Sequence, residues 1–222
     1  MTPCIKKSIA AAGLLALAAC SAPAPHYYGK PVPAPALSQA APAARPDAAK
    51  GDPGQRFQAA LKLMKDHQAQ EAQAAFADLA RDYPQYAGPL DDLGVLQAQG
   101  KQRDQAIASF ARAGAADGGN AFAYGWLGIL YRENGDYVHA EQSYRKAIEL
   151  KPDAPATHLN LAILYEQYLH RSGEALAQYR EYQRLAGTGA NPMVAVWIKQ
   201  LEIAQPPSAL ASNAVPAKGA MP

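Results

Sequence analysis

The chain has 222 residues, with 21 lysines and arginines against 19 aspartates and glutamates. This near balance excludes the strongly basic proteins that bind nucleic acid through charge. The chain has only two cysteines, Cys4 and Cys20, which excludes a small fold stapled by several disulfides.

The first twenty residues have the features of an export signal. Lys6 and Lys7 make the start basic, and the apolar stretch over 9–16 is too short to span a bilayer. This stretch runs into residues 17–20, small residues that end at Cys20, and the junction resembles a bacterial lipobox. The resemblance implies cleavage after residue 19 and a diacylglycerol on the Cys20 thiol. The alternative is a plain secretory signal with a chance cysteine.

Removal of residues 1–19 as a lipoprotein signal peptide changes the mature chain in two ways. Cys4 is lost, so Cys20 is the only cysteine left, and neither an intrachain disulfide nor a thiolate metal site can form. Two lysines are lost as well, which leaves charged side chains of both signs in equal number. By resemblance to enterobacterial lipoproteins, Ser21 after the lipidated cysteine favours the outer membrane, facing the periplasm.

Two segments have the composition of linkers. Prolines recur among alanines in 20–52, which includes the lipidated Cys20. Because proline fixes φ and removes backbone donors, we expect this segment to be extended and solvated. The segment 205–222 is similarly rich in proline, alanine and serine, and we expect a disordered tail.

The middle of the chain repeats with a period of 34 residues, the period of helix-turn-helix units of the tetratricopeptide type. The recurring positions are Ala72, Ala106 and Ala140; Phe76, Phe110 and Tyr144; Leu93 and Leu127; Gly94 and Gly128. The third copy resembles the tetratricopeptide signature most fully, through Tyr124, Leu127, Gly128, Tyr131, Ala140, Tyr144 and Pro152. The resemblance implies an all-α fold, a right-handed solenoid of antiparallel helix pairs.

Repeat boundaries follow from this period. The predicted repeats within a domain over 53–204 are 53–86, 87–120, 121–154 and 155–188, with a final helix over 191–204. In the fourth repeat Ala175 and Tyr179 come one residue late, which predicts an inserted residue near Tyr168 to Ser172. In every unit, small residues such as Gly128 allow close helix approach and large ones such as Tyr144 fill the remaining space.

The final helix is predicted to cap the solenoid. Asn191 can cap its start and Pro192 suits its first turn. Its apolar residues recur at helical spacing and form one stripe: Val194, Trp197, Ile198 and Leu201. An end repeat exposes an apolar side that a cap must cover. The alternative is a helix that docks on a partner.

In the tetratricopeptide family, the first helix of each unit lines a concave groove. Carried over by position, the candidate partner-binding residues are Phe57, Leu61, Asp91, Val95, Phe122, Ile129, Arg132, Leu159, Ile163 and Glu166. Their apolar centre and charged edge suit an extended segment or an amphipathic helix. For each apolar residue, the alternative is that it only completes packing between neighbouring helices. Glu141, on a second helix, is expected on the opposite, convex face.

Binding of a C-terminal carboxylate is not implied. The chaperone-binding members of the family use a set of lysine, asparagine and arginine for it. At comparable groove positions this chain has Phe57, Asp91 and Leu159, so that clamp is absent and its specificity is not carried over.

Catalytic and metal-binding motifs are absent from the sequence. Its five histidines form no H-E-x-x-H pair, and neither a nucleophile elbow nor a phosphate-binding loop is found. Asp91 and Asp92 are interpreted as solvated carboxylates and not as an acid/base couple. We therefore expect no enzyme activity, no metal, no cofactor other than the covalent lipid on Cys20, and neither a small-molecule substrate nor nucleic acid as partner.

The sequence thus predicts a lipid-anchored protein-interaction scaffold of the bacterial envelope. Tetratricopeptide lipoproteins of this size resemble pilotins and pilus-assembly lipoproteins, which implies help in assembling an outer-membrane, pilus or secretion complex. The alternative is an adaptor that regulates peptidoglycan synthases or hydrolases. The captured protein would distinguish them, because a fold of this kind indicates a binding surface and not its client.

Overall fold

A computed structural model describes residues 50–204, and the regular structure of this part is entirely helical. The predicted signal peptide, the linker up to residue 49 and the tail over 205–222 lie outside the described residues. The helices are α1 Pro53–Lys65, α2 Ala69–Asp82, α3 Ala87–Gln99, α4 Arg103–Ala116, α5 Ala121–Glu133, α6 Tyr137–Leu150, α7 Pro155–Ile163, α8 Ser172–Ala186 and α9 Pro192–Ala204. None of these helices is long and apolar enough to cross a bilayer.

The helices pack in sequential pairs. Helix α1 packs on α2, α3 on α4, α5 on α6 and α7 on α8, and each second helix then packs on the next first helix. The last helix, α9, packs on α8. This order confirms the predicted all-α architecture of tandem helix pairs closed by an end helix.

In the second and third pairs, a glycine of the first helix packs against an aromatic ring of the second helix. An ideal Cβ built on Gly128 of α5 would overlap the Tyr144 ring of α6, lying 2.8 Å from its Cγ. In the preceding pair a Cβ on Gly94 would lie 2.8 Å from ring atoms of Phe110. Both rings are fully buried. The glycines at this position therefore set the distance between the two helices of a pair.

The turns within the pairs locate the inserted residue of the fourth repeat. A residue with positive φ lies in each turn, and these are His67, Lys101, Gly135 and His170, the last arriving one residue late. Just before it, α7 continues as a π-helical turn, Leu164–Tyr168. A π turn accommodates one extra residue without breaking the helix. The residue predicted to be inserted near Tyr168 to Ser172 is therefore accommodated at the start of that range, by the π turn that ends at Tyr168.

Glu141, which was expected on the convex face, is a partly buried residue of α6 that bonds to the fourth helix pair. Its side chain is only 17% exposed, and its Oε2 accepts a hydrogen bond from Arg171 Nη1 at 2.8 Å. Its Oε1 accepts one from the Tyr165 hydroxyl at 3.0 Å. These bonds join α6 to the fourth helix pair, a role that helical spacing within α6 could not reveal.

Helix α9 covers the end of the fourth repeat with the predicted stripe. Val194, Ile198 and Leu201 are buried in the same core cluster as Tyr179 of α8. Trp197 is only half-buried, with its ring centroid 5.6 Å from that of Tyr179. The stripe therefore faces the solenoid, as a cap requires.

Trp197→Ala is expected to destabilise the fourth repeat before the others. Because the ring is half-buried, we expect a loss of about 2 kcal/mol in the free energy of unfolding, below that for a fully buried ring. In a solenoid the loss is felt mainly by the neighbouring helix. Hydrogen exchange should show faster exchange across 155–186.

The matched control is Val196→Ala on the outer side of α9, where the side chain is 45% exposed. This variant should leave exchange in the fourth repeat unchanged. Equal exchange across 155–186 in the wild type and in Trp197→Ala would contradict the capping role.

Candidate protein-binding face

Most of the apolar candidates for partner binding are half-buried against the solenoid core. Phe57 and Leu61 pack on the core of the first repeat, and Val95 packs on that of the second. Ile129, Leu159 and Ile163 pack on the core shared by the third and fourth repeats. Each of these side chains thus completes packing and keeps part of its surface open to solvent.

Phe122 differs from them, because 53% of its surface is exposed. It begins an aromatic cluster of three rings, Phe110, Phe122 and Trp126. The Phe110 and Trp126 rings are stacked with centroids 5.5 Å apart, and Phe122 meets both edge-on at 6.2 and 6.3 Å. Phe110 is fully buried, so the exposed Phe122 ring rests on a buried aromatic side chain that holds it in place.

The surface of α5 is open at Gly125, one turn after Phe122, and we call this open space the gap at Gly125. A Cβ built on Gly125 would meet no other atom within 4 Å. Gly125 lies three residues after Phe122 and four before Ile129, so the three share one side of α5. Glycine inside a helix costs roughly 1 kcal/mol relative to alanine. The space therefore makes Gly125 a place where another chain can approach the backbone closely.

Asp91 of α3 is linked to the start of α5 through Asn120. Its Oδ2 accepts a hydrogen bond from Asn120 Nδ2 at 2.8 Å, and Asn120 Oδ1 accepts one from the backbone N–H of Ala123, which caps α5. Helices α3 and α5 also contact each other. We call the surface with Asp91 and Val95 on α3 and Phe122, Gly125 and Ile129 on α5 the α3–α5 face.

The interpretation of Asp91 and Asp92 as solvated carboxylates is wrong. Burial is the main cause that raises the pKa of Asp91 to about 6. The hydrogen bond from Asn120 lowers this pKa, whereas the negative charges of Asp92 and Asp117 raise it. Burial also raises the pKa of Asp92. The Asp91 Oδ1 is buried and has no hydrogen-bond partner among the described residues. The α3–α5 face thus carries a carboxylate that water stabilises poorly.

Two charged candidates remain. Arg132 is half-buried near the end of α5, three residues after Ile129 and therefore on the same side of the helix. Glu166 lies in the π-helical turn, where its Oε2 accepts a hydrogen bond from the Tyr179 hydroxyl at 2.6 Å. Glu166 is therefore held by its own repeat. Of the candidates, Phe122, Ile129, Asp91 and Val95 belong to the α3–α5 face, and Arg132 lies one turn beyond it on α5.

Gly125 of this face was not among the candidates, and neither were Asn120 and Trp126, which contact Asp91 and Phe122 of the face. Gly125 and Trp126 follow Phe122 by three and four residues, so helical spacing alone could have included both. Asn120 gave no such signal, because it lies 29 residues from Asp91 in the chain and the two meet only in the folded solenoid. Within residues 50–204 no group of three or more histidine, cysteine, aspartate or glutamate side chains is arranged to hold a metal ion.

Comparison with known proteins supports the repeat assignment. The family model described as "TPR repeat" matches residues 128–167. The mouse Superkiller complex protein 3 is 34% identical over 87 residues, which are 39% of this chain and 6% of that protein. The chain thus spans a small fraction of this curated relative.

Solved structures share the fold. The structure of pilF from Pseudomonas aeruginosa has a TM-score of 0.58 and 20% identity, covering 68% of each chain. A MamA crystal structure has a TM-score of 0.56 and 21% identity, covering 63% of this chain and 75% of its own. At these identities the likeness shows the fold alone.

Repeats of this family are protein-binding scaffolds, and no catalytic family is indicated. The matching repeat model identifies residues 128–167 as a tetratricopeptide repeat, and the tandem helix pairs over 53–186 with their glycine–aromatic packing have the fold of such repeats.

Proposed function

We propose that this protein is a lipid-anchored scaffold of the bacterial envelope that holds a segment of a partner protein on its α3–α5 face. The observation that carries the binding role is Phe122, an exposed ring on a buried aromatic base. Binding energy at protein interfaces concentrates in a few such rigid aromatic anchors. The lipobox-like junction at Cys20 supports the anchor, and the proline-rich segment after it supports a binding domain held away from the membrane.

The proposed role is to assist assembly of an outer-membrane, pilus or secretion complex. A tethered domain with an apolar binding face can hold one component while others are added. The identity of the bound protein tests this role directly. A secretin or pilus component would support it, and a peptidoglycan synthase or hydrolase would favour the adaptor alternative.

Site-specific crosslinking in the intact envelope tests the binding face. We expect benzoyl-phenylalanine at position 122 to form adducts with a partner, because this aromatic side chain preserves the anchor. The control position is Gln142, an exposed residue of α6. Mass spectrometry of the adducts identifies the partner.

Phe122→Ser should reduce capture of the same protein at least about tenfold. The change should lower the free energy of unfolding by only about 1 kcal/mol, since the ring is half-exposed and makes edge contacts. Circular dichroism and a melting curve check that the fold is intact. Adducts from position 142 with none from position 122 would place the binding surface on the other side of the solenoid.

A further inference from the structure

Asp91 of the α3–α5 face and its neighbour Asp92 lack the paired cation that two other partly buried carboxylates, Asp82 and Glu141, have. Asp82 pairs with Arg56 at 2.8 Å, and Glu141 pairs with Arg171 at the same distance. Asp91 and Asp92 form no ion pair among the described residues, and the pKa of each is raised by burial. A partly buried charge without a counter-charge is costly. A cation supplied from outside the solenoid would offset this cost.

The position of Asp91 decides what else such a cation would touch. Through its bond from Asn120, the carboxylate lies at the first turn of α5, two residues before the exposed Phe122 ring. The gap at Gly125 opens one turn further along the same helix. A cationic side chain near Asp91 is therefore close to the first turn of α5, the turn that carries Phe122.

We propose that the α3–α5 face selects a partner segment in which an arginine or lysine lies next to an apolar residue. The basic group lies at the surface near Asp91 and compensates the charges of Asp91 and Asp92, and the apolar residue rests on Phe122 over Gly125. Arginine suits this position best, since its planar guanidinium both pairs with a carboxylate and stacks on an aromatic ring. This inference rests on the proposed function and names the chemistry of the segment that the face binds.

Synthetic peptides provide a defined probe. Three nonapeptides are compared. They share the same apolar residues and differ only at the central position, which is arginine, its neutral analogue citrulline, or glutamate. Their binding to the full chain in detergent micelles is measured by fluorescence anisotropy. The protein variants are Asp91→Asn, Phe122→Ser and, as the charge-matched control, Asp153→Asn in the exposed loop after α6.

We expect arginine peptides to bind the wild type about tenfold more tightly than citrulline peptides, the difference contributed by one charge pair. Asp91→Asn should remove this preference while leaving the affinity for citrulline peptides unchanged, and Asp153→Asn should keep it. Asparagine at position 91 can still accept the bond from Asn120, so the fold is retained, as a melting curve would verify.

Two results would overturn the proposal, and they differ in meaning. Equal affinity for arginine and citrulline peptides, with binding lost in Phe122→Ser, would show a face that binds without selecting a cation, and the proposed function would stand. Peptide binding that is the same in the wild type and in Phe122→Ser would overturn both the cation preference and the binding face itself.

Discussion

Gly128→Val is expected to lower the free energy of unfolding by about 3 kcal/mol, the upper end of typical overpacking costs. A Cβ at this position would overlap the Tyr144 ring, which is fully buried and cannot move into solvent. Helices α5 and α6 would have to separate, and the contacts of both neighbouring pairs would weaken. Urea unfolding followed by circular dichroism measures the loss.

Gly125→Val is the matched control, since it makes the same change three residues earlier in the same helix. The added side chain enters open space, so we expect stability to stay within about 0.5 kcal/mol of the wild type. Gly125→Val should instead weaken partner capture by filling the gap on the α3–α5 face. Equal stability losses in the two valine variants would contradict the packing of Gly128 against Tyr144.

A double variant tests whether Gly128 and Tyr144 act together. Tyr144→Ala alone should cost about 3–5 kcal/mol, because it empties a fully buried site. In the double variant, the valine methyl groups at position 128 occupy part of the space that the Tyr144 ring leaves. The measured loss of stability should therefore be smaller than the sum of the losses in the two single variants. Additive losses would mean that the two residues are not in contact.

Cys20→Ser is expected to shift the protein from the membrane to the soluble fraction almost completely, or to leave it unprocessed. Each buried acyl methylene contributes about 0.8 kcal/mol, so an anchor of two or more chains holds the protein durably. Loss of the thiol removes the only attachment that we propose. Fractionation after a high-salt wash, with the mature size checked on a gel, measures the effect.

Cys4→Ser is the control, because Cys4 precedes the proposed cleavage site and should not affect anchoring. A Cys20→Ser protein of mature size that still sediments with washed membranes would show that the lipid anchor is wrong. Such a result would leave the binding role of the α3–α5 face untouched, since that role depends on helices α3 and α5.

The 34-residue period was sufficient to predict the fold. Gly94 and Gly128 each face a ring on the following helix, Phe110 and Tyr144, and this packing works only when residues of those sizes recur at fixed positions. The same reasoning found the stripe of α9, because an amphipathic helix displays its buried face in its spacing.

The candidate site was predicted only in part. Position within the repeat brought Phe122 and Asp91 into the candidate set, and the structure places both on the α3–α5 face. The raised pKa of Asp91 could not be predicted, since it depends on how much water reaches the carboxylate and on Asn120, 29 residues later in the chain. For the same reason Glu166 was placed at a groove edge, although the Tyr179 hydroxyl holds it.

The sequence by itself determined the helix pairs, their number within 53–186 and the face that each helix buries, because these features follow from local spacing and side-chain size. Only the tertiary structure decided which polar groups are compensated. Arg171 lies 30 residues from Glu141, and Asn120 lies 29 residues from Asp91. Neither pairing can be predicted from helical periodicity, because each joins residues of different helices or turns. Electrostatic compensation depends on distance in space and on burial, and both are properties of the packed solenoid.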